Sequence, residues 1–226
     1  MSVSADVEVL REELVRRFRT ATRDVELAGR TIRLLMPANA DDLISEDDFV
    51  RDERLPYWAD LWPSARILAE ELAVMRLRGQ RVLELGCGLG FVAMGAVLGG
   101  ADVTATDYYE DATRFALVNV AEATGMLIEA RMVNWSEMPA DLGRFDVVIA
   151  SDVLYEHRYA SLVANAIAST LRRGGEAIVA DPGRIALQEF LDECTLLGLE
   201  YVSDPRPFVE GEIKQTVTLW KIRWKA

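Results

Sequence analysis

Between Arg81 and Ala180 short apolar runs alternate with longer stretches of helical period, and few folds accept that order. The runs are Arg81–Leu85, Asp102–Thr106, Ile128–Val133, Phe145–Ala150 and Glu176–Ala180. Helical segments are expected at Phe91–Leu98, Glu110–Ala123, Tyr159–Leu171 and Ile185–Leu197. A run such as Phe145-Asp146-Val147-Val148-Ile149-Ala150 suits a central parallel strand covered on both faces. Strand–helix alternation with right-handed crossovers builds a doubly wound α/β sheet. Two further strands, Leu199–Ser203 and Gln215–Trp224, flank a Pro-rich loop from Asp204 to Pro207 and are expected to close the sheet as an antiparallel hairpin.

Upstream of this pattern, Val7, Leu10, Leu14, Val15 and Phe18 recur near one face of an amphipathic helix. A hairpin follows, Val25–Leu27 and Thr31–Leu35, turning through Ala28-Gly29-Arg30. Ala40 to Arg54 is rich in acid (Asp41, Asp42, Glu46, Asp47, Asp48, Asp52 and Glu53) and reads as a solvated linker or a mobile loop. Pro63 opens an apolar-periodic helix, Ser64 to Met75. The expected organisation is an extension of helix, hairpin and acidic loop over 1–54, then the sheet domain over 55–226.

The 226 residues leave room for one sizeable domain and little more. No apolar run nears the roughly 20 residues that span a bilayer, and the first residues are charged where a signal peptide needs an apolar stretch. A soluble, cytoplasmic protein with no membrane partner is expected. Two cysteines and one histidine are too few for a disulfide framework or a thiolate zinc site, so no metal is expected. A net charge of −12, without any basic block, argues against nucleic acid as a partner.

The strongest motif is Val82-Leu83-Glu84-Leu85-Gly86-Cys87-Gly88-Leu89-Gly90, a strand entering a helix through three alternate glycines. Glycines let the backbone turn sharply and approach a ligand closely. A dinucleotide fingerprint would need its third glycine at 91, where Phe91 stands. Asp107 ends the second strand, where a carboxylate can accept from both ribose hydroxyls of an adenosine. Tyr108 follows it, as an adenine contact or a surface aromatic. Asn134-Trp135 follow the third strand; the indole either offers its face to the base or packs in the core.

The Glu-x-Gly-x-Gly-x-Gly pattern resembles motif I of class I S-adenosylmethionine (SAM)-dependent methyltransferases. That resemblance implies a Rossmann-like, doubly wound seven-stranded α/β sheet with a C-terminal antiparallel strand, and SAM as cofactor. Ser151-Asp152-Val153-Leu154-Tyr155-Glu156, after the fourth strand, resembles the Asp-x-x-Tyr motif of seven-strand protein lysine methyltransferases. Leu55-Pro56-Tyr57-Trp58-Ala59-Asp60-Leu61-Trp62-Pro63 and Asp181-Pro182-Gly183-Arg184 are similar to segments of the electron-transfer flavoprotein β-subunit lysine methyltransferases. The likeness runs from about Leu55 to Arg184. It implies a protein substrate with an accessible lysine, with the electron-transfer flavoprotein β-subunit as one possibility.

The site implied is Asp152 and Tyr155 for catalysis. Trp62, Glu84, Gly86, Cys87, Gly88, Gly90, Asp107, Tyr108, Asn134, Trp135 and Ser151 are implied for the cofactor. Methyl transfer from a sulfonium is an in-line displacement that rewards positioning and desolvation. A lysine amine, ordinarily of pKa about 10.4, must first lose a proton. Asp152 could orient it by a hydrogen bond, and Tyr155 could offer a hydroxyl or a ring face. Trp58 and Trp62 are pocket walls or core packing. Cys87 is a small filler in the loop, since the reaction needs no thiol, and His157 is a capping or surface residue. Arg184 either binds an acidic feature of the substrate or pairs with Asp181. Three readings stand: a protein lysine methyltransferase, a small-molecule N-methyltransferase, and a non-catalytic SAM-binding protein.

Overall fold

The computed structural model describes residues 5–43 and 56–225. Seven strands form one sheet: β3 (Arg81–Leu85), β4 (Asp102–Asp107), β5 (Glu129–Met132), β6 (Phe145–Ser151), β7 (Leu171–Asp181), β8 (Leu199–Glu210) and β9 (Ile213–Trp224). Their order is β5-β4-β3-β6-β7-β9-β8, with β9 antiparallel to both of its neighbours. The order reverses between β3 and β6, the switch point beyond whose carboxyl ends open α/β sheets bind ligands.

The core follows from the two-residue period of the central strands. Val147 and Ile149 of β6, with Ile178 and Ala180 of β7, join the cluster on one face. Val148, Ala150, Ala177 and Val179 join the cluster on the other. The first face is covered by α2 (Pro63–Val74), α3 (Phe91–Leu98) and α4 (Glu110–Thr124), the second by α5 (Tyr159–Thr170) and α6 (Leu187–Leu196). Both faces are therefore covered, in keeping with the nearly continuous apolar run Val147–Ala150 of β6.

The amino-terminal helix α1 (Ala5–Arg17) and the hairpin of β1 (Thr20–Leu27) and β2 (Arg30–Pro37) lie against the first face. Ion pairs tie α1 to α4 (Arg11–Glu122, Arg17–Asp111 and Arg114–Glu13). A buried amide makes the tighter link. Asn119 of α4 accepts from the Leu35 N–H at 2.8 Å and donates to the carbonyls of Leu35 and Leu89 at 2.9 and 3.0 Å. It joins the hairpin to the glycine loop, and nothing in the one-dimensional pattern marks it.

Two expectations need correction. The hairpin strands are eight residues each, longer than expected, because pairing continues from Thr20↔Pro37 to Leu27↔Arg30. The segment Asp204 to Pro207 is not a loop: β8 runs through Pro205 and Pro207, paired with Thr218 and Thr216 of β9. Strand β8 ends the sheet, and two prolines two residues apart leave their missing N–H groups on one side, where no further strand needs them. The acidic stretch lies outside the described residues from 44 to 55. Among the described residues no helix is long and apolar enough to cross a membrane, and no cluster of metal-ligating side chains occurs.

Candidate active site

The carboxyl ends of β3, β4 and β6 border a cleft of about 1040 Å³, counting its part open to solvent. Its floor is the glycine loop. Gly86, Gly88 and Gly90 all have positive φ (74°, 48° and 78°), a region that suits glycine. A methyl on Gly86 would stand 3.0 Å from Val153 Cγ1, and one on Gly88 3.0 Å from the Trp58 carbonyl. The floor thus stays bare backbone, which a ligand can approach. Gly90 serves the packing instead. It precedes α3, and a methyl there would meet the Ala116 backbone of α4 at 2.7 Å, so it permits helix contact and does not line the cleft.

Glu84 does not line the cleft either. Its buried carboxyl accepts from the Ala93 N–H in the first turn of α3, and burial together with nearby Asp107 raises its pKa well above the carboxylate range. It supports the loop from below by satisfying a helix-end N–H that has no partner within the helix. The other residues expected at a cofactor, Trp62, Gly86, Cys87, Gly88, Asp107, Tyr108, Asn134, Trp135 and Ser151, border one cavity. Asp107 Oδ2 accepts from the Gly88 N–H at 2.9 Å and Oδ1 from the Tyr109 N–H at 3.0 Å. Burial nevertheless pushes its carboxyl up to about 6. Trp135 closes the wall edge-on to Tyr159, its buried indole N–H without an acceptor among the described residues. Asn134 caps the following turn by accepting from the Ser136 N–H. The Cys87 thiol is buried and its pKa raised by that burial, in keeping with a filler.

Asp152 and Tyr155 stand where this cleft meets a second, more open cavity; both border both. Asp152 has φ +56°, rare for a residue with a side chain, and its N–H is held by the Ala180 carbonyl at 3.0 Å. Its Oδ1 accepts from Arg184 Nε at 2.8 Å and Nη2 at 2.7 Å. Its Oδ2 is buried without a partner among the described residues. The Arg184 side chain takes Asp152 and not Asp181, which only its backbone N–H reaches, at 2.8 Å. Tyr155 packs edge-on to Tyr57, with its hydroxyl 3.5 Å from that of Tyr159, and burial raises its pKa.

Trp62 lies under the Arg184 guanidinium, 5.2 Å from it, and donates from Nε1 to the Tyr57 carbonyl at 2.9 Å. Trp58 packs on Phe115 and Tyr109, so it is wall and core together. His157 is exposed and paired with Glu189 at 2.8 Å. Sequence reasoning missed Tyr57, Tyr109 and Tyr159 as lining residues. Only Tyr57 left a signal, its place in the Leu55–Pro63 segment.

A family model described as lysine methyltransferase matches residues 57–191. The chain belongs to the lysine methyltransferase family. The electron transfer flavoprotein beta subunit lysine methyltransferase of Xenopus laevis is 30% identical over 133 residues, 57% of this chain and 53% of that protein. The protein N-lysine methyltransferase METTL21A of Danio rerio is 35% identical over 112 residues, 46% of this chain and 50% of that protein. The chain spans about half the length of these curated relatives. Among solved structures, magnesium protoporphyrin IX methyltransferase from Synechocystis with bound SAM superposes with a TM-score of 0.59 at 20% identity, over 82% of this chain and 98% of that one. That likeness concerns the fold, a seven-stranded Rossmann-like sheet; in this family member the acceptor must be argued from the site.

Proposed function

We propose that this lysine methyltransferase family member transfers a methyl group from SAM to a lysine side-chain amine of a protein. The observation that carries the reading is the junction at Asp152. A carboxylate with a buried oxygen unpartnered among the described residues borders both the glycine-loop cleft and an open cavity. Bound there, SAM would supply an electrophilic methyl on its sulfonium. The bare backbone at Gly86 and Gly88 fits its amino-acid part, Asp107 the ribose hydroxyls, and the Trp135 and Val133 wall the adenine. The openness of the second cavity favours a side chain presented by a macromolecule over an enclosed small molecule. The electron-transfer flavoprotein β-subunit is the first partner to test, given the named relative. A small-molecule amine remains the second reading, favoured by the aromatic rings of Tyr57, Trp62 and Tyr155 around the junction.

The test is incubation with tritiated SAM and a lysate from cells lacking the protein, followed by gel separation. A labelled protein band supports the reading; label confined to the small-molecule fraction replaces it with the second.

Cofactor affinity should depend on pH in a definite direction. The protonated Asp107 carboxyl has less capacity to accept from ribose hydroxyls, so binding selects the ionised form and releases a proton below about pH 6. Affinity at about pH 5 should be roughly tenfold weaker than at about pH 7 by this linkage. In Asp107→Ala that difference should vanish and the affinity should be low at both values. Calorimetric titration with SAM measures both; a pH-independent constant in the unsubstituted protein would remove Asp107 from the ribose site.

A further inference from the structure

An acceptor amine held on Asp152 meets a chemical difficulty. Burial at the junction lowers a lysine pKa from its ordinary value of about 10.4 toward the working range, but a lone carboxylate beside the amine stabilises the ammonium and raises the pKa again. An ammonium has no lone pair with which to attack. Orientation by Asp152 would therefore work against deprotonation of the acceptor.

We propose that Arg184 is a positioning residue that offsets the Asp152 charge, so that Asp152 orients the acceptor amine without holding it protonated. The inference rests on the amine-acceptor reading of the junction. The two oxygens of Asp152 have separate roles. Oδ1 takes both Nε and Nη2 of Arg184, a charge-assisted pair. Oδ2 is buried and has no donor among the described residues, leaving it for an acceptor N–H. A neutral amine can donate to Oδ2 while its lone pair stays available for the methyl carbon.

Three contacts hold Arg184 at this post. The Gly183 and Arg184 N–H groups both bond Asp181 Oδ1, at 2.7 and 2.8 Å, which sets the turn after β7. The guanidinium lies over the Trp62 ring, and Trp62 is itself tied to the Tyr57 carbonyl. The other ionisable side chains around the outer cavity have partners: Arg158 with Glu156 at 2.8 Å, and His157 with Glu189 at 2.8 Å. Tyr155 and Tyr57 contribute rings and hydroxyls. Asp181, its pKa raised by burial, serves the turn, and Asp107 lines only the cofactor cleft. Glu156 also borders both cavities but is paired with Arg158, so among the described residues Asp152 is the carboxylate at the junction that keeps a buried, unpartnered oxygen.

The experiment compares the unsubstituted protein, Arg184→Gln and Arg184→Lys. It measures initial rates of tritium transfer from SAM to lysate protein from about pH 7 to about pH 9.5. SAM affinity by calorimetry checks that each variant is folded. Arg184→Gln should be about tenfold slower or more at the lower pH and should recover most of that loss at the higher, since an uncompensated carboxylate shifts a neighbouring base by a unit or more. Arg184→Lys, which keeps a cation, should retain the original pH profile. An Arg184→Gln rate lowered by one constant factor at every pH, or not lowered at all, would overturn the inference. If the unsubstituted protein itself labels no lysate component, the amine-acceptor reading falls, and this inference with it.

Discussion

Asp152→Asn is expected to slow methyl transfer by about 10²–10⁴-fold, the range of a positioned proton-handling side chain. SAM affinity should stay within about twofold, as for a substitution outside the contacts that hold a bound molecule. Asparagine is the informative replacement because it tolerates the left-handed backbone that Asp152 adopts, which alanine does not tolerate well. It can also still accept one bond from Arg184. What it lacks is a second oxygen, so its NH₂ would turn a donor toward an amine that needs an acceptor. Single-turnover rates on the labelled acceptor, with calorimetry for SAM, separate the two effects. Turnover unchanged within about twofold would remove Asp152 from the reaction.

Gly90→Ala is expected to cost about 2–5 kcal/mol of folding stability. The left-handed conformation penalises a side chain by roughly 1–2 kcal/mol. The added methyl would also stand 2.7 Å from Ala116 Cα and 2.8 Å from its Cβ, so the α3–α4 contact must open. Overpacking of that kind adds about 1–3 kcal/mol. Set against a typical total of about 5–15 kcal/mol, the loss brings the chain near unfolding. Urea denaturation reads it directly. A change under about 1 kcal/mol would mean that the two helices separate easily and that the loop does not depend on their contact.

These two residues also mark what a one-dimensional reading reaches. The strand–loop–helix at Val82–Gly90 was legible because three alternate glycines after an apolar strand combine a period change with a turn signal. The same pattern did not distinguish the duties of its members: Gly86 and Gly88 face the cleft, Gly90 faces α4, and Glu84 holds the first turn of α3. Duty here depends on which side of the loop a neighbouring element occupies, and only the folded chain sets that. Asp152 was legible from its place after a central strand. Its bond to Arg184 was not, because the partners are 32 positions apart on successive turns. Pro205 and Pro207 misled for a physical reason, since proline breaks a central strand but not the free side of an edge strand. Asn119 was hidden for another: a buried amide that bonds two distant backbones looks, in sequence, like any polar position of a helix.

The central claim is that an amine, held on Asp152 beside bound SAM, receives the methyl group. Its most direct test is tandem mass spectrometry of the protein band labelled by the unsubstituted chain, with Asp152→Asn as the parallel reaction. The account predicts a methyl group on a lysine side-chain nitrogen, absent when Asp152 is replaced. A methyl group on a carboxyl, a hydroxyl or another non-amine atom, or a lysine methylated equally well by Asp152→Asn, would contradict it.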